Sequence, residues 1–488
     1  MEKISISPEL KKMNSIFEAA GFEAYLVGGA LRDTIMGKEA HDWDVATNAM
    51  PKDVMRIFHR VIPTGIKHGT VTVHFMKKQI EVTTFRTESE YSDGRHPDKV
   101  EFASSIEEDL SRRDFTMNAM AASLCEGRIV DPFCGRDDIR AKTIRTVGNA
   151  HERFMEDGLR PIRAIRFASQ LEFSIEKRTF SDIFEEETLK KIASISTERF
   201  RDEFCKILLS RRPSLGLKLL EETGILKMFI PELLEGRNCI QSDSRGFHDF
   251  DVLDHNFRAC DGAPCDKLNV RLAALFHDIA KPRVKTVSQD CDEIHFYNHE
   301  VTGEKMSQEI LRRLKFSNDT IQNVSHLVRE HMFFYESTWS DAAVRRFVRR
   351  VGAENIDDLF DLRLADIYGM KNRDSKDSAE IQPCDKRDEI FDENSPCDKL
   401  PSKTETCDKT DEKLKLQELR ARIEEALSQN SALGIKDLAI NGNDLLAIGI
   451  RPGKKIGDAL KELLELVTDA PEMNTREKLL EAAKSFVI

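Results

Sequence analysis

Two aspartates separated by one residue supply the first candidate chemistry in this sequence. Asp42 and Asp44 flank Trp43 in a strand-like run, and residues two apart in a strand point to the same face. Two carboxylates on one face form a hard-oxygen site suited to Mg²⁺, and burying both without a cation is costly. A third carboxylate is expected from a neighbouring strand, where Glu81 is the best placed. On these residues alone, a polar turn with two exposed aspartates remains the alternative.

A double glycine precedes the aspartate pair. Gly28 and Gly29 follow the β-type run Ala24–Val27 and open a helical pattern that carries Arg32 and Asp33. Glycines at that place let backbone N–H groups approach a phosphate chain, and a helix N-terminus favours an anion. A tight turn is the alternative reading of the glycines alone. A phosphate cradle beside metal-binding carboxylates predicts nucleotide chemistry, since two metal ions can activate an attacking hydroxyl and stabilise a leaving pyrophosphate.

Histidines and aspartates beyond residue 250 indicate a second site. His277 and Asp278 are adjacent and supply a neutral nitrogen ligand and a carboxylate, the ligand types of transition-metal hydrolase sites. Further candidates in the same region are His255, His299, His331 and Asp366. The alternative is a domain that keeps these residues only as packed core side chains.

The elements that must position these groups change along the chain. Residues 1–150 alternate helical patterns with short β-type runs, such as Thr70–Phe75 and Gln79–Phe85, which predicts an α/β or α+β domain. Two lysines between those runs, Lys77 and Lys78, are expected to form a hairpin turn. Beyond residue 150 apolar residues recur at spacings of three and four, so the remainder is predicted to be helical.

An acidic segment interrupts the helical pattern. Residues 372–411 contain 12 acidic and 7 basic residues and few apolar ones, which predicts a disordered, solvated insertion. Its cysteines, Cys384, Cys397 and Cys407, are the donors of an alternative metal site. They are irregularly spaced and have no histidine among them.

Composition sets broad limits on the function. A chain of 488 residues is long enough for about three domains. It has no apolar run of about 18 residues and no signal core at its start, and ten unpatterned cysteines indicate a cytoplasmic location. The net charge of −12 argues mildly against a nucleic-acid partner. Residues 140–168, however, contain 7 basic and 3 acidic residues, so the net value describes the insertion and outer surface more than this stretch.

Three more motifs follow the aspartate pair in order: Arg112–Ala119, Asp131–Asp138 and Glu156–Arg160. Together with the glycines and aspartates they resemble the class II tRNA nucleotidyltransferases, the CCA-adding enzymes of the polymerase-β-like superfamily, over nearly the whole chain except the insertion. The resemblance implies an α+β fold, with a nucleotidyltransferase head built on a small mixed sheet and all-α regions after it. The implied regions are a head (1–140), a neck and body (141–245), an HD domain (246–371), the insertion (372–411) and a tail (412–488).

The resemblance also implies an activity, which is Mg²⁺-dependent addition of C, C and A to tRNA 3′ ends from CTP and ATP. Asp42 and Asp44, with Glu81, would be catalytic and hold the metal. The implied nucleotide-binding residues are Gly28, Gly29, Arg32, Asp33 and Arg113 around the triphosphate, and Asp114 and Asn118 at the ribose. From helical spacing, Arg163 and Arg166 are expected to continue the face of Arg160 and to contact phosphates.

Base selection has a physical logic of its own. Cytosine and adenine both present an amino donor beside a ring-nitrogen acceptor, whereas guanine and uracil present a carbonyl beside a ring N–H. A carboxylate that accepts from the amino group and a guanidinium that donates to the ring nitrogen would select C and A. Asp157 and Arg160 are three residues apart and are expected on one helical face; an ordinary helical salt bridge is the alternative. Pro161 indicates either that a helix begins or kinks there or that Arg160 is oriented differently.

Several activities remain open within this reading. The polar segment Thr87–Asp98 resembles the flexible loop of full CCA-adding enzymes, which favours addition of the terminal A. A-adding enzymes and bacterial poly(A) polymerases share the motifs and are the nearest alternatives. A chain that is mainly a phosphohydrolase with a regulatory head, and a non-catalytic RNA-binding protein, are the alternatives from other classes.

The second site and the tail carry resemblances too. The order His, His-Asp, Asp is similar to the HD phosphohydrolase superfamily and maps to His255, His277, Asp278 and Asp366. His299 and His331 would complete a second metal position, and an active site would cleave a phosphoester. In the tail, Arg451, Lys454 and Lys455 are expected to bind an RNA backbone. The basic cluster 345–350 is either another phosphate contact or an ordinary charged helix face.

Overall fold

The computed structural model describes residues 3–40, 42–66, 69–89, 99–241, 250–288, 294–370, 407–428 and 434–486. The chain divides into two compact units, Met1–Pro231 and Glu232–Ile488. The proposed flexible loop beyond residue 89 and the proposed insertion up to residue 406 lie outside the described residues, whereas residues 407–411 begin a helix.

A seven-stranded mixed sheet forms the centre of the first unit, in the order β3-β4-β5-β2-β1-β8-β9. Strands β2 and β5 are parallel, and the other neighbours are antiparallel. The strands of this unit are β1 Ala24–Val27, β2 Trp43–Thr47, β3 Val61–Gly65, β4 Thr70–Phe75, β5 Lys78–Thr84, β6 Arg86–Ser89, β7 Lys99–Phe102, β8 Ala121–Ser123, β9 Ile129–Val130, β10 Thr143–Ile144 and β11 Ser174–Ile175.

The predicted hairpin forms between β4 and β5, but its turn is one residue earlier than expected. Lys78 already pairs with Phe75, so the two turn residues are Met76 and Lys77, both with positive φ. The strands alternate buried and exposed positions as a half-buried sheet requires. Val71, Val73, Ile80 and Val82, which are all buried, lie in the main core.

Helices surround this sheet and continue as a helical layer after it. Helix α1 begins at Pro8, with the Ser7 hydroxyl accepting from the Leu10 N–H, an arrangement typical of a helix N-terminus. Its Met13 and Phe17 are fully buried in the main core. The helices of this unit are α1 Pro8–Ala19, α2 Gly28–Ile35, α3 Pro51–Ile57, α4 Ile106–Ser111, α5 Gly135–Arg140, α6 Ala150–Glu156, α7 Arg160–Leu171, α8 Lys177–Ser181, α9 Glu186–Ala193, α10 Thr197–Leu208, α11 Pro213–Glu222 and α12 Ile225–Phe229.

The second unit is mainly helical. Its helices are α13 Val252–Gly262, α14 Leu268–Phe276, α15 Lys281–Val284, α16 His299–Arg313, α17 Asn318–Glu330, α18 Asp341–Val351, α19 Ile356–Gly369, α20 Cys407–Ser428, α21 Gly442–Ala447, α22 Lys454–Asp469 and α23 Arg476–Ala483. Helices α21 to α23 enclose a separate apolar core that includes Leu445, Leu463 and Leu479.

The prediction of an α+β fold with a mixed-sheet head followed by mostly helical regions is confirmed. Beyond residue 150 the helical pattern is interrupted by β11 and by the two-residue strands β12 Thr286–Val287 and β13 Ile294–His295. These pairs are too short to produce the periodicity by which a strand is recognised in a sequence. Among the described residues, no helix is long and apolar enough to cross a membrane.

Candidate functional site

Three carboxylates come together where β2 and β5 run side by side. The parallel pairing places Asp44 opposite Glu81, and Asp42 lies directly before β2. All three line one cavity. Burial raises the pKa of Asp44 to about 6, and the charge of Glu81 adds to this rise. A divalent cation bound by oxygen ligands would remove this repulsion, so the three residues fit Mg²⁺.

Gly28, the first residue of helix α2, lies against this carboxylate group. Its φ is +68°, a conformation that glycine adopts with little strain. A Cβ at this position would lie 3.1 Å from Asp44 Oδ2 and 3.4 Å from Arg113 Nη1. Only a residue without a side chain therefore leaves enough room for Asp44 and Arg113 to pack this closely against the start of helix α2.

Arginines from separate segments form another wall of the cavity. Arg32 donates from Nη1 to Asn118 Oδ1 over 3.0 Å. Arg112 and Arg113 both bind Asp109, with N–O distances of 2.8 and 3.2 Å. Burial would raise the pKa of Asp109, but the two guanidinium groups lower it. Sequence reasoning placed Arg112 only at the start of a motif and missed Asp109, although the three- and four-residue spacing of the acid from the arginines was a usable signal.

The predicted ribose-binding residues are held in place by other side chains. Arg163 donates two hydrogen bonds to Asp114 Oδ2, over 2.8 and 2.7 Å, and Asp114 Oδ1 accepts from the Phe115 N–H over 2.8 Å. Burial would raise the pKa of Asp114, yet the charge and hydrogen bonds of Arg163 lower it to about 2. Asp114 is therefore ionised throughout the physiological pH range, and its position is fixed relative to Asn118.

The prediction that Asp157 and Arg160 share one helical face is wrong. Helix α6 ends at Glu156, and Asp157 follows it in an extended conformation, with φ −144° and ψ 113°. Arg160 begins the next helix, α7, with Pro161 in its first turn. The two side chains have different partners, since Asp157 binds Arg199 over 2.7 Å whereas Arg160 binds Glu156.

Both residues nevertheless line the cavity. Asp157 Oδ2 accepts from Arg199, and Arg160 Nη2 donates to the Arg112 carbonyl over 3.2 Å. Arg160 on α7 and Asp157, which follows α6, therefore supply a donor and an acceptor from separate segments rather than from one helix.

Arg163 and Arg166 lie on α7 above a buried aromatic ring. The guanidinium carbon of Arg166 is 3.7 Å from the ring centroid of Phe167, and its Nε is 2.6 Å from Glu203 Oε2. Burial lowers the pKa of Arg166 to about 10, with Glu203 opposing the change. Glu203 is only 3% exposed, so Arg166 acts first as the partner of a buried carboxylate.

The cavity as a whole suits a polyanion beside metal ions. Its volume is about 900 Å³, and eight basic and five acidic side chains line it. The lining includes each nucleotide-binding residue predicted from the sequence except Asp33, whose carboxylate accepts from Arg32 Nε over 2.9 Å. Arg112, the first residue of its motif, also lines the cavity, and lining residues that sequence reasoning missed include Arg86 and Lys206.

The histidines and aspartates of the second unit form one buried cluster. His255 Nε2 and His277 Nε2 are 3.0 Å apart and lie 3.2 and 3.5 Å from Asp366 Oδ1. Helices α13 and α19 approach closely here, since a Cβ on Gly369 would lie 2.9 Å from His255 Nδ1. These three ligands form one group that could hold a metal ion.

A second group of three adjoins the first and includes Asp278. Its Oδ1 lies 3.4 Å from His299 Nε2 and 3.7 Å from His331 Nε2. Its Oδ2 faces the first group, 3.5 Å from His255 Nε2 and 3.4 Å from His277 Nε2. Lys281 Nζ is 2.6 Å from the same Oδ2, and its charge helps to keep the pKa of Asp278 well below its usual range despite burial.

The hydrogen bonds of the rings show that this cluster fits metal ions. The Nδ1 atoms of His277, His299 and His331 lie 2.7 to 2.8 Å from backbone carbonyls. A carbonyl oxygen only accepts, so each Nδ1 carries the proton and a neutral ring directs an Nε2 lone pair into the cluster. The Nε2 atoms of His299 and His331 are only 3.2 Å apart. Lone pairs that face each other in this way repel unless a proton or a cation lies between them.

The predicted RNA contacts divide into two outcomes. Arg451, Lys454 and Lys455 are exposed where α22 begins, as a backbone-binding patch requires. The basic cluster 345–350 instead binds other parts of the second unit. Arg345 is buried and donates to the Thr468 carbonyl over 2.7 Å, and the remaining arginines of α18 form ion pairs as follows: Arg346 with Asp469, Arg349 with Glu465, and Arg350 with Glu330.

The fold and the two sites define a nucleotidyltransferase joined to an HD domain, and family models agree. Residues 24–145 match the poly A polymerase head domain, 172–236 the probable RNA and SrmB-binding site of polymerase A, 248–371 the HD domain, and 403–483 tRNA nucleotidyltransferase domain 2.

Relatives define the family more narrowly. The CCA-adding enzyme of Enterococcus faecalis is 39% identical over 339 residues, which cover 68% of this chain and 71% of the relative. The CCA-adding enzyme of Ligilactobacillus salivarius is 47% identical over 226 residues, covering 46% and 55%. The chain belongs to the CCA-adding enzyme family. It is also similar to the structure of the Bacillus stearothermophilus CCA-adding enzyme in complex with CTP, with 27% identity, 98% coverage of each chain and a TM-score of 0.70.

Proposed function

We propose that this protein adds C, C and A to the 3′ end of tRNA from CTP and ATP without a nucleic-acid template. The cavity of the first unit carries the proposal, because it combines three clustered carboxylates with an excess of cationic side chains. In the reaction the 3′-hydroxyl of the RNA attacks the α-phosphate of the nucleotide, a new phosphodiester bond forms and pyrophosphate leaves. The relatives named as CCA-adding enzymes support this assignment.

Each wall of the cavity has a distinct task. Asp42, Asp44 and Glu81 would hold Mg²⁺, which supplies activation of the attacking hydroxyl and stabilisation of the leaving pyrophosphate. Arg32 and Arg113 would bind the triphosphate, and the charge that pyrophosphate gains as it leaves makes these contacts strongest in the transition state. Gly28 lets the nucleotide phosphates approach the backbone between them.

Sugar and base would lie toward helix α7. Asp114 is kept ionised and in place by Arg163, so it offers a fixed acceptor to the ribose hydroxyls beside Asn118. Asp157 would accept from the amino group of cytosine or adenine while Arg160 donates to the ring nitrogen. Because Arg199 and Glu156 hold these side chains from outside, the pair would keep one geometry for both bases and reject guanine and uracil.

Stepwise nucleotide incorporation tests the proposal. The full chain is incubated with tRNAs that end before C, after C and after CC, each with a single labelled nucleoside triphosphate. We expect C on the first two substrates, A on the third, and no G or U on any. Incorporation of only A, only C or long A tracts would refute full CCA addition. Asp44→Asn should abolish incorporation, whereas Asp137→Asn, an exposed carboxylate on α5, serves as the control.

A second function is proposed for the second unit, because its six buried ligands fit two metal positions. The reaction would be hydrolysis of a phosphoester, in which water adds to phosphorus, the P–O bond to the sugar breaks and the alcohol leaves with a proton. His255, His277 and Asp366 would hold one ion, and Asp278, His299 and His331 would hold the other.

Metal content and phosphate release separate the two functions. Mass spectrometry of the purified chain should find about two tightly bound transition-metal ions, and Asp278→Ala should lose both because its oxygens face both groups. Phosphate release should survive Asp44→Asn, and nucleotide addition should survive His277→Ala. Wild-type protein that binds no transition metal would refute the second function and leave the first intact.

A further inference from the structure

The ring of Phe167 on helix α7 lies close to three guanidinium groups at once. The guanidinium carbons of Arg166, Arg32 and Arg163 are 3.7, 5.3 and 5.6 Å from its centroid, within the range of about 6 Å over which the face of an aromatic ring attracts a cation. All four side chains line the cavity of the first unit. We propose that Phe167 is a positioning residue whose ring holds these three cations around one place in the cavity, so that they receive the nucleotide together. The inference rests on the proposed nucleotide addition.

The ring itself is fixed by the core. Phe167 is only 4% exposed, and its ring meets the fully buried ring of Phe115 edge to face, with centroids 5.7 Å apart and an interplanar angle of 84°. Both residues belong to the main apolar core of the first unit. Close-packed side chains of this kind occupy defined rotamers, so the ring gives the three guanidinium groups a common reference point.

Each of the three cations also has an acidic partner, and these partners come from different elements. The ion pairs, with N–O distances of 2.8, 2.7 and 2.6 Å, are Arg32 with Asp33 on α2, Arg163 with Asp114, and Arg166 with Glu203 on α10. The acids therefore fix each cation relative to its own neighbour. The ring of Phe167 is a contact that all three cations share.

Cations that are gathered in this way repel one another. Burial lowers the pKa of Arg166 to about 10, and the charges of Arg163 and Arg32 add to this fall, whereas Glu203 opposes it. The negative face of an aromatic ring offsets part of such repulsion, but an aliphatic side chain of similar size would only fill the space. The ring thus keeps the cations together before the nucleotide binds, and the negative charge of a triphosphate would then remove the remaining repulsion.

The three cations serve different parts of the nucleotide, and the ring connects them. Arg32 would bind the triphosphate, and it also donates to Asn118 Oδ1 over 3.0 Å. Arg163 holds Asp114, the proposed acceptor for the ribose hydroxyls. Weaker attraction by the ring should therefore loosen the phosphate and ribose contacts at the same time. The loss should appear in nucleotide affinity rather than in the stability of the fold.

Graded fluorination of the ring tests the inference. Phenylalanine derivatives with one, two or three ring fluorines are incorporated at position 167 of the full chain by nonsense suppression. Each fluorine withdraws electrons from the ring face, while the size and apolar character of the side chain hardly change. The logarithm of the Kd of CTP, measured by equilibrium dialysis with Mg²⁺, should rise in proportion to the number of fluorines. The rise in Kd with three fluorines should be about 5- to 30-fold, kcat/KM for C addition should fall in parallel, and the melting temperature should not change.

A matched series at another core ring excludes a merely structural role. Phe17 is fully buried, packs edge to face on Phe58 and lies outside the cavity lining, so its fluorination should leave the Kd of CTP unchanged. A Kd that stays constant across the series at Phe167, or that rises equally in the series at Phe17, refutes the inference even if the chain adds C and A. If the unmodified chain adds no nucleotide but the Kd of CTP still rises with fluorination of Phe167 alone, the proposed addition fails and the inference stands.

Discussion

Replacing Gly28 by alanine separates the cost of backbone strain from the cost of misplacing the catalytic carboxylate. The residue has φ +68°, where an L-residue is strained by roughly 1–2 kcal/mol. The alanine also restricts the unfolded chain, which returns about 0.4–1 kcal/mol. The net loss of unfolding free energy should be about 1 kcal/mol. The new Cβ would also lie 3.1 Å from Asp44 Oδ2, so the carboxylate must move by a few tenths of an ångström.

Gly37 provides a matched control on the same segment. Its φ is +75°, and a Cβ there would have no heavy atom within 4 Å. Gly37→Ala should therefore lose the same unfolding free energy, about 1 kcal/mol, without disturbing the cavity. A displacement of about 1 Å can reduce a rate by roughly 100-fold, so a smaller shift in Gly28→Ala should reduce kcat for C addition by roughly tenfold, or about 1.4 kcal/mol in activation energy.

The assay combines urea unfolding of both variants with single-turnover incorporation of C under saturating CTP. We expect equal unfolding free energies, a slower rate only in Gly28→Ala, and an unchanged rate in Gly37→Ala. Unchanged rates in both variants would show that the contact with Asp44 is unimportant. A similar loss of rate in Gly37→Ala would show that strain, rather than carboxylate position, limits the reaction.

Three further predictions follow from other contacts. Asp44→Asn should abolish nucleotide addition yet leave the melting temperature equal or higher. The reason is that it removes a carboxylate whose pKa is raised by burial and by the charge of Glu81. A large fall in melting temperature would contradict this. Arg163→Gln should reduce nucleotide addition because Asp114 is no longer held in place, while the fold survives. Arg166→Glu should unfold the first unit, because it would place a second carboxylate against buried Glu203. Circular dichroism and incorporation assays distinguish the two variants, and a folded, active Arg166→Glu would contradict this prediction. Arg345→Met should lower the unfolding free energy by about 1–3 kcal/mol, since the buried carbonyl of Thr468 at the end of α22 loses its donor. Arg346→Ala should cost no more than about 1 kcal/mol at its exposed pair; equal effects in urea unfolding would refute this difference.

The first site could be predicted largely because its chemistry is encoded in short stretches. The i, i+2 spacing of Asp42 and Asp44 marks the start of one strand, although Asp42 lies directly before β2, and Glu81 lies on the strand that pairs with β2. Gly28 stands where a strand meets a helix, so its backbone role is visible in sequence order. Local pattern and local geometry agree at these positions.

The base-selecting pair could not be placed correctly from its spacing. Residues three apart share a face only if one helix contains both, and α6 ends before Asp157. Pro161 signalled that a helix begins there, but not that Asp157 is extended. The partner that fixes Asp157 is Arg199, 42 residues away along the chain. Such a pairing depends on how helices pack and leaves no periodic trace in the sequence.

The second site illustrates the same limit in another way. The ligand types were recognisable, yet the division into two groups depends on which oxygen of Asp278 faces which histidines. The role of the arginine cluster on α18 was also undecidable from the sequence, because a charged run looks the same whether it faces water, RNA or the end of another helix. Only the contacts to Thr468 and Asp469 distinguish these cases.

The shared carboxylate of Asp278 couples the two proposed metal positions thermodynamically. An ion in one group would orient the carboxylate of Asp278 and so prepare its other oxygen for the second ion, and this linkage must act equally in both directions. Opposing this, two cations on neighbouring groups repel each other. The sign of cooperativity in a metal titration therefore measures which of these two effects is larger. Lys281 adds a third positive charge beside the Asp278 carboxylate, so a variant at Lys281 should change that balance without removing a metal ligand.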